Sequence, residues 1–176
     1  LLGSLHGLAT GKIDARFEKE GIGRDSLLKT VMQEAASPGQ INQSNRGTCT
    51  VTSMQYLLCD QDPAEYLRLM QGLLSPVGTV KLRNGATLRR EDDAIAPDSA
   101  RSRSATERIF QSAMMEYANG DESYSNATDR STLKILGIKV ADHGGLKTGQ
   151  QERGLEALFG RGFHDYSGSF NFKDDA

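Results

Sequence analysis

Cys49 lies at the boundary between a polar loop and an apolar segment. The loop reads QINQSNRG from Gln40 to Gly47, and the next segment, TCTVTSMQYLLC, carries apolar residues at helical spacing. The sequence therefore predicts a buried helix with Cys49 at its start. Because the unpaired N–H groups and the dipole of a helix favour negative charge at this end, a thiol there would be held as the reactive thiolate.

Gly47 and Gln43, which precede Cys49 in the sequence, suit the same chemistry. Gly47 would let the backbone approach a substrate closely, and the N–H of Cys49 would point at an oxyanion developing on an attacked carbonyl group. Gln43, six residues before Cys49, would bring a side-chain amide donor to the same place. Together they predict a nucleophile beside an oxyanion hole, which is the equipment for acyl transfer.

The segment from Gln43 to Cys49, QSNRGTC, resembles the active-site segment of papain-like cysteine peptidases. In that family a Gln lies six positions before the Cys, a Gly lies two before it, and a buried helix follows. The matching positions here are Gln43, Gly47, Thr48, Cys49 and Ser53. Thr50 departs from the pattern, since an aromatic residue usually follows the nucleophile, and the loop lacks the cysteine that forms the family's nearby disulfide.

The resemblance implies a papain-like α+β fold and peptide hydrolysis through a thiolate acyl-enzyme. The expected fold has a central helix headed by Cys49, flanking helices and a small antiparallel β-element. Few strands are visible in the sequence, whereas papain-like domains need a second, β-rich half. The alternative that part of this half lies downstream of Ala176 therefore stays open.

The thiol requires an imidazole as general base, and chain order leaves two of the three histidines. In papain-like enzymes the His follows the Cys, so His6 is set aside, whereas His143 and His164 lie 94 and 115 residues after Cys49. His143 is favoured because a predicted strand precedes it. Neither His is followed by the apolar strand that this residue normally heads in the family, so a base downstream of Ala176 stays open.

A third residue must orient the imidazole, and each histidine has an acidic neighbour in sequence. Asp142 precedes His143, and Asp165 follows His164. Either carboxylate is a candidate for this role.

Periodicity and turn residues predict the elements around this site. We assign residues 1–39 to a helical lead-in that ends at Pro38-Gly39, and residues 40–176 to the hydrolase domain. The other predicted elements are a helix starting at Pro63 with Asp62 as its N-cap, a hairpin over 79–89 with a primed turn at Asn84-Gly85, a helix over 105–119 with a Ser104/Glu107 capping box, and a helix over 148–159. We interpret residues 121–130 as a polar loop and residues 132–140 as a strand or the edge of a helix.

The composition of the chain disfavours several classes of binding partner. The 176 residues carry a net charge of −2 with both signs interspersed, which gives no electrostatic reason to expect binding to nucleic acid or a membrane surface. The two cysteines are too few for a disulfide scaffold, and Cys59 is predicted to be buried in the core. No cofactor or metal is expected, because the acidic run at 91–93 lacks the spacing of a calcium loop and the glycine-rich stretches match no nucleotide fingerprint.

The leading hypothesis is a cysteine peptidase that acts on a protein or peptide substrate. A thiol deamidase or a transglutaminase-like enzyme would use the same thiol and imidazole. The alternatives outside catalysis are an interaction module with a papain-like fold, or a fragment completed by a C-terminal segment or a second chain. A polar, tryptophan-free hydrolase domain suits a bacterial effector or toxin, and residues 1–10 show no signal peptide, so a cytoplasmic or a secreted location is open.

Overall fold

The computed structural model of the protein describes residues 1–97, 102–135 and 138–162. These ranges contain seven α-helices and two antiparallel sheets, so the predicted α+β class is confirmed. The helices are α1 (Leu2–Thr10), α2 (Arg16–Lys19), α3 (Arg24–Ala36), α4 (Cys49–Gln61), α5 (Pro63–Leu74), α6 (Ala105–Asn119) and α7 (Thr148–Phe159). The strands are β1 (Thr79–Lys81), β2 (Thr87–Arg89), β3 (Ser123–Ser125), β4 (Arg130–Ile135) and β5 (Ile138–His143), and single 3₁₀ turns cover Pro38–Gln40 and Asp92–Ala94.

Helix α4 begins at Cys49, as predicted, and contacts α3, α5, α6 and α7. Its inward face contributes Val51, Met54 and Leu58 to the main hydrophobic core. Tyr66 of α5 and Phe110 of α6 meet edge to face in the same core, with ring centroids 5.5 Å apart. Burial on several sides therefore fixes the position of the helix that carries Cys49.

The predicted helical lead-in contains α1, α2 and α3, followed by the 3₁₀ turn. Leu8, Phe17, Leu27 and Val31 are buried and belong to the same hydrophobic core as the residues of α4 and α6. These N-terminal helices therefore pack on the remainder of the chain through apolar side chains.

The predicted hairpin is present as β1 and β2, which pair antiparallel with Val80 opposite Leu88. The predicted primed turn is wrong, because Gly85 has a φ of +83° while Asn84 is not among the described non-glycine residues with positive φ. The N–H of Gly85 instead donates to the carbonyl of Leu82. The Asn84 side chain accepts from the N–H of Ala86, which stabilises the turn without a positive φ at Asn84.

A second sheet has the strand order β3-β4-β5, with all pairs antiparallel. Strand β3 lies in the segment that the sequence predicted to be a polar loop, so that part of the prediction is wrong. It spans three residues and buries Tyr124 alone, which is too short for an alternating pattern to be recognised. Residues 132–140 contribute to β4 and β5, which resolves the choice between strand and helix edge in favour of strand.

The predicted caps of α5 and α6 are confirmed. Asp62 accepts from the N–H of Glu65, and Ser104 and Glu107 form a reciprocal capping box at the start of α6. Helix α7 occupies the predicted residues and crosses α4 closely, since a Cβ on Gly154 would stand 2.9 Å from the Met54 side chain. Among the helices described, none is long and apolar enough to traverse a membrane.

Candidate active site

The residues from Asn42 to Thr48, here called the Cys49 loop, connect the 3₁₀ turn to α4. Ser44 adopts a left-handed conformation with a φ of 57°, and its N–H donates to the side chain of Asn42 at 2.7 Å. The N–H of Arg46 donates to the carbonyl of Gln43 at 3.3 Å. Local hydrogen bonds of this kind hold a loop in a defined conformation without regular secondary structure.

Cys49 is exposed and is the first residue of α4. The hydroxyl of the preceding residue, Thr48, donates to Gln111 and accepts no hydrogen bond from the first N–H groups of the helix. No described residue accepts a hydrogen bond from the backbone N–H of Cys49. An exposed thiol and an N–H without an acceptor among the described residues therefore lie together at the positive end of the helix dipole.

Gln43 is half-buried, and its side-chain amide nitrogen donates to the carbonyl of Arg46 at 3.4 Å. The amide has a second N–H, for which the described part of the chain offers no acceptor. Gln43 thus lies in the short loop that leads into Cys49, and one N–H of its amide has no described acceptor.

Gly47 lies where two other segments meet the Cys49 loop. Its N–H donates to the carboxylate of Asp129 at 2.7 Å, and the second oxygen of Asp129 accepts from the hydroxyl of Tyr124 at 2.9 Å. A Cβ on Gly47 would stand 3.2 Å from the backbone nitrogen of Gly145. Glycine at this position therefore allows the close backbone approach to the turn that follows β5.

A groove of about 300 Å³ begins at Cys49 and runs between α4 and α7. Met54 and Leu57 of α4 and Leu155 of α7 supply apolar surface, while Gln151 contributes an amide. The second cysteine, Cys59, is buried on the inner side of α4, as predicted, and burial raises the pKa of its thiol far above the usual range. The two thiols of α4 therefore differ sharply in access to solvent.

His143 ends β5, two residues before Gly145, and its imidazole is already engaged. Its Nε2 lies 2.5 Å from a carboxylate oxygen of Glu122. Lys147 donates to Glu122 at 2.8 Å, and this bond, helped by those from His143 and Gln150, lowers the pKa of Glu122 to about 2. Because an ionised carboxylate only accepts, Nε2 of His143 carries the proton of this hydrogen bond.

The structure places His143 beside the Cys49 loop without joining it to the thiol. The Cys49 loop and the turn after β5 meet at Gly47 and Gly145. Gly47 lies two residues before Cys49, and Gly145 lies two residues after His143. Within the described residues, no hydrogen bond links the His143 ring to Cys49. The assignment of His143 as general base stays a prediction, and His164 lies outside the described residues.

The carboxylate beside His143 is not the one suggested by sequence. Asp142 bonds to Arg130 at 2.5 Å and to Lys139, and those contacts lower its pKa, with the hydrogen bond from Lys139 as the largest cause. Successive residues of a strand point to opposite faces, so Asp142 and His143 diverge. The other suggested carboxylate, Asp165, lies outside the described residues.

Three residues that contact this region were missed by sequence reasoning: Gln111, Glu122 and Asp129. Glu122 and Asp129 flank β3, in the segment interpreted as a polar loop, where nothing in the spacing marked them. Gln111 lies beside the apolar stripe of α6 and is fully buried, which a polar residue type does not suggest. No group of three or more His, Cys, Asp or Glu side chains in the described ranges is placed to hold a metal ion.

Comparison of the chain with protein-family models, with curated proteins and with solved structures finds no significant match.

Proposed function

We propose that the protein is a cysteine peptidase in which Cys49 is the nucleophile. The observation that supports this proposal is the setting of Cys49. Its thiol is exposed on the first residue of a buried helix, its own N–H has no described acceptor, and the Gln43 amide lies on the loop that precedes it. A papain-like arrangement of the whole domain is part of the proposal, on the strength of the QSNRGTC segment.

In the proposed reaction the Cys49 thiolate attacks a peptide carbonyl carbon. The oxyanion accepts hydrogen bonds from the N–H of Cys49 and from the free N–H of Gln43. The proton from the thiol passes to an imidazole and then to the leaving amine, which departs with its electron pair as the acyl-enzyme forms. Water, deprotonated by the same imidazole, then attacks the thioester and releases the acid and the thiol.

We propose His143 as this imidazole, with Glu122 as the residue that orients it. The hydrogen bond from Nε2 to Glu122 leaves Nδ1 as the ring nitrogen that can exchange a proton with the thiol. The turn after His143 lies against Gly47, so a modest shift of this turn would move the ring relative to Cys49. A peptide in the groove would meet the apolar surface of Leu57 and Leu155 beside the thiol.

One observation favours a second candidate, an interaction module or an incomplete site that needs a further segment or chain. Among the described residues, no imidazole forms a hydrogen bond with Cys49. In that case the groove beside Cys49 would bind a partner without cleaving it. A thiol deamidase or a transglutaminase-like enzyme would retain the reactive cysteine and differ only in the acyl donor and acceptor.

The pH dependence of Cys49 alkylation by iodoacetamide separates these candidates. If the proposal holds, Cys49 reacts rapidly well below about pH 8.5, where an ordinary thiol ionises. This reactivity falls in His143→Ala and persists in His6→Ala, a matched control whose histidine lies on α1. Cys59 serves as the internal control because it is buried.

Cys49 could instead show the pH profile of an ordinary thiol in the wild type and in every histidine variant. That result would contradict the proposed peptidase activity and support the interaction module. If Cys49 is reactive, the protein is next incubated with fluorescently labelled casein, with and without a primary amine. Mass spectrometry of the products then distinguishes cleavage of the chain from loss of ammonia or incorporation of the amine.

A further inference from the structure

A buried glutamine of α6 contacts both ends of the Cys49 loop. The amide nitrogen of Gln111 donates to the carbonyl of Asn42, where the loop begins, at 3.1 Å. Its amide oxygen accepts from the hydroxyl of Thr48, where the loop ends, also at 3.1 Å. Gln111 and Thr48 are both fully buried, so water does not compete for the bond between these two side chains. One side chain therefore fixes the separation of the two residues between which Gln43 and Gly47 lie.

The orientation of the Gln111 amide is determined by its neighbours. Arg103, which can only donate, is 3.1 Å from the same oxygen that accepts from Thr48. The nitrogen of Gln111 donates a second hydrogen bond to Gln55, whose own amide nitrogen donates to the hydroxyl of Tyr66. Rotating the Gln111 amide by half a turn would place its N–H groups against the Arg103 guanidinium. The observed orientation is thus the one that satisfies every partner.

A second residue of the same helix strengthens the attachment. Glu107, one turn before Gln111 on α6, accepts from the N–H of Asn42 at 2.7 Å. The other oxygen of Glu107 accepts from the N–H of Ser104 in the capping box of α6. The N–H and the carbonyl of Asn42 are therefore both bound to α6, which is buried on most sides and acts as a rigid support.

We propose that Gln111 is a positioning residue for the Cys49 loop: by holding Asn42 and Thr48 together, it sets the Gln43 amide and the Cys49 N–H in register with the thiol. Its role in catalysis rests on the proposed function, whereas its role in ordering the loop does not. Gln111 does not touch the reacting atoms. It acts through the hydroxyl of Thr48, the residue that directly precedes Cys49.

Two variants and one matched control test the proposal. Gln111→Met keeps a side chain of similar length but removes all four hydrogen bonds, to Asn42, Gln55, Thr48 and Arg103. Gln111→Glu keeps the acceptor for Thr48 and Arg103, but it places a carboxylate oxygen against the acceptor oxygens of Asn42 and Gln55 and so replaces the two donated bonds by repulsion. Asn119→Ala is the control, because Asn119 is also buried on α6 but bonds to Ser131 of β4 rather than to the loop.

The first readout is amide hydrogen exchange of residues 42–49, which does not depend on activity. Exchange in this segment is expected to accelerate by about tenfold or more in both Gln111 variants, while Asn119→Ala leaves it unchanged. The second readout is the pH profile of Cys49 alkylation by iodoacetamide. Gln111→Met is expected to move its midpoint to higher pH, because the loop no longer holds the start of α4 in place around the thiolate.

Unchanged exchange and an unchanged alkylation profile in Gln111→Met would overturn the proposal, as would equal effects in Asn119→Ala, which would signify general loosening of α6. An inert Cys49 in the wild type would instead refute the proposed peptidase. In that case faster exchange of the loop in the Gln111 variants would still support its ordering by Gln111, so the two failures are distinguishable.

Discussion

The carboxylate of Asp129 accepts a hydrogen bond from the backbone N–H of Gly47, although the two residues lie 82 positions apart. Asp129 has a φ of 56°, and its other oxygen bonds to Tyr124 of β3. The Cys49 loop is thus attached on one side to the small sheet through Asp129 and on the other to α6 through Gln111. Because these attachments come from separate elements, the loop conformation depends on the tertiary fold and not on its own sequence alone.

Replacing Asp129 by Ala is expected to lower the free energy of unfolding by roughly 2–4 kcal/mol. The Gly47 N–H and the Tyr124 hydroxyl lose an acceptor, and Ala tolerates the left-handed conformation less well than Asp. Asp129→Asn is the conservative rescue, since an amide can accept from Gly47, donate to the Tyr124 oxygen and adopt positive φ. Urea unfolding measures both variants. Equal stability of the Ala and Asn variants would show that the hydrogen bonds of Asp129 contribute little.

The contact between Glu122 and His143 leads to a prediction about catalysis. If Glu122 orients the imidazole in the proposed reaction, Glu122→Gln lowers kcat by about tenfold to a hundredfold and changes KM far less, because only the placement of the base is affected. Asp142→Asn, at the acidic neighbour of His143 in sequence, is expected to change kcat by less than about twofold. Steady-state hydrolysis of a fluorogenic peptide compares them. The reverse order of effects would restore Asp142 to the role first suggested by sequence.

The elements that the sequence predicted well are those with local signals. Helix α6 has a capping box at Ser104 and a glycine stop at Gly120, and α5 has Asp62 and Pro63 at its start, so hydrogen bonds within a few residues determine their ends. Strand β3 was missed because its three residues are defined by pairing with β4, and such pairing leaves almost no trace in a segment this short.

The same distinction applies to the candidate site. Gln43, Gly47 and Cys49 lie within seven residues, so their spacing alone suggested a shared role. Asp129 and Gln111 are 82 and 63 residues from the loop residues that they contact, and neither has an unusual sequence neighbourhood. Contacts of this kind arise when the chain folds and could not be predicted from periodicity or turn residues.

Glu34 on α3 leads to a prediction about stability and pH. Burial raises its pKa from 4.5 to about 7, although Thr106, Tyr66 and Ser104 donate hydrogen bonds that oppose this shift. The folded protein therefore binds this proton more tightly than the unfolded chain does. The stabilising contribution is complete below about pH 4.5 and is lost as the pH rises to about 7, with an amplitude of roughly 3 kcal/mol.

Urea unfolding from pH 4.5 to pH 8 of the wild type and of Glu34→Gln tests this expectation. The wild type should lose stability relative to the variant as the pH rises through this window, and the difference should level off above about pH 7. Glu18→Gln, which alters an exposed glutamate of α2, is the matched control. Parallel curves for the wild type and Glu34→Gln would mean that the Glu34 carboxyl titrates alike in the folded and unfolded states.

The close contact between Gly47 and Gly145 can be tested by replacing Gly47 with Ala and using Gly144→Ala as the matched control. Gly47→Ala is expected to lower the free energy of unfolding by about 1–3 kcal/mol, because the added methyl group would stand 3.2 Å from the Gly145 nitrogen and must push that turn away. Gly144 has no positive φ and open space at the Cβ position, so Gly144→Ala is expected to be neutral or to stabilise by up to about 1 kcal/mol.

Both variants lie near His143, yet only Gly47→Ala would change the distance between the Cys49 loop and the turn after β5. Under the proposed mechanism Gly47→Ala therefore also slows peptide hydrolysis, whereas Gly144→Ala leaves it close to the wild-type rate. Urea unfolding and a fluorogenic peptide assay on the same preparations separate the effects on stability and rate. If Gly47→Ala matches Gly144→Ala in both measurements, the contact between Gly47 and Gly145 has no role in positioning the base relative to the thiol.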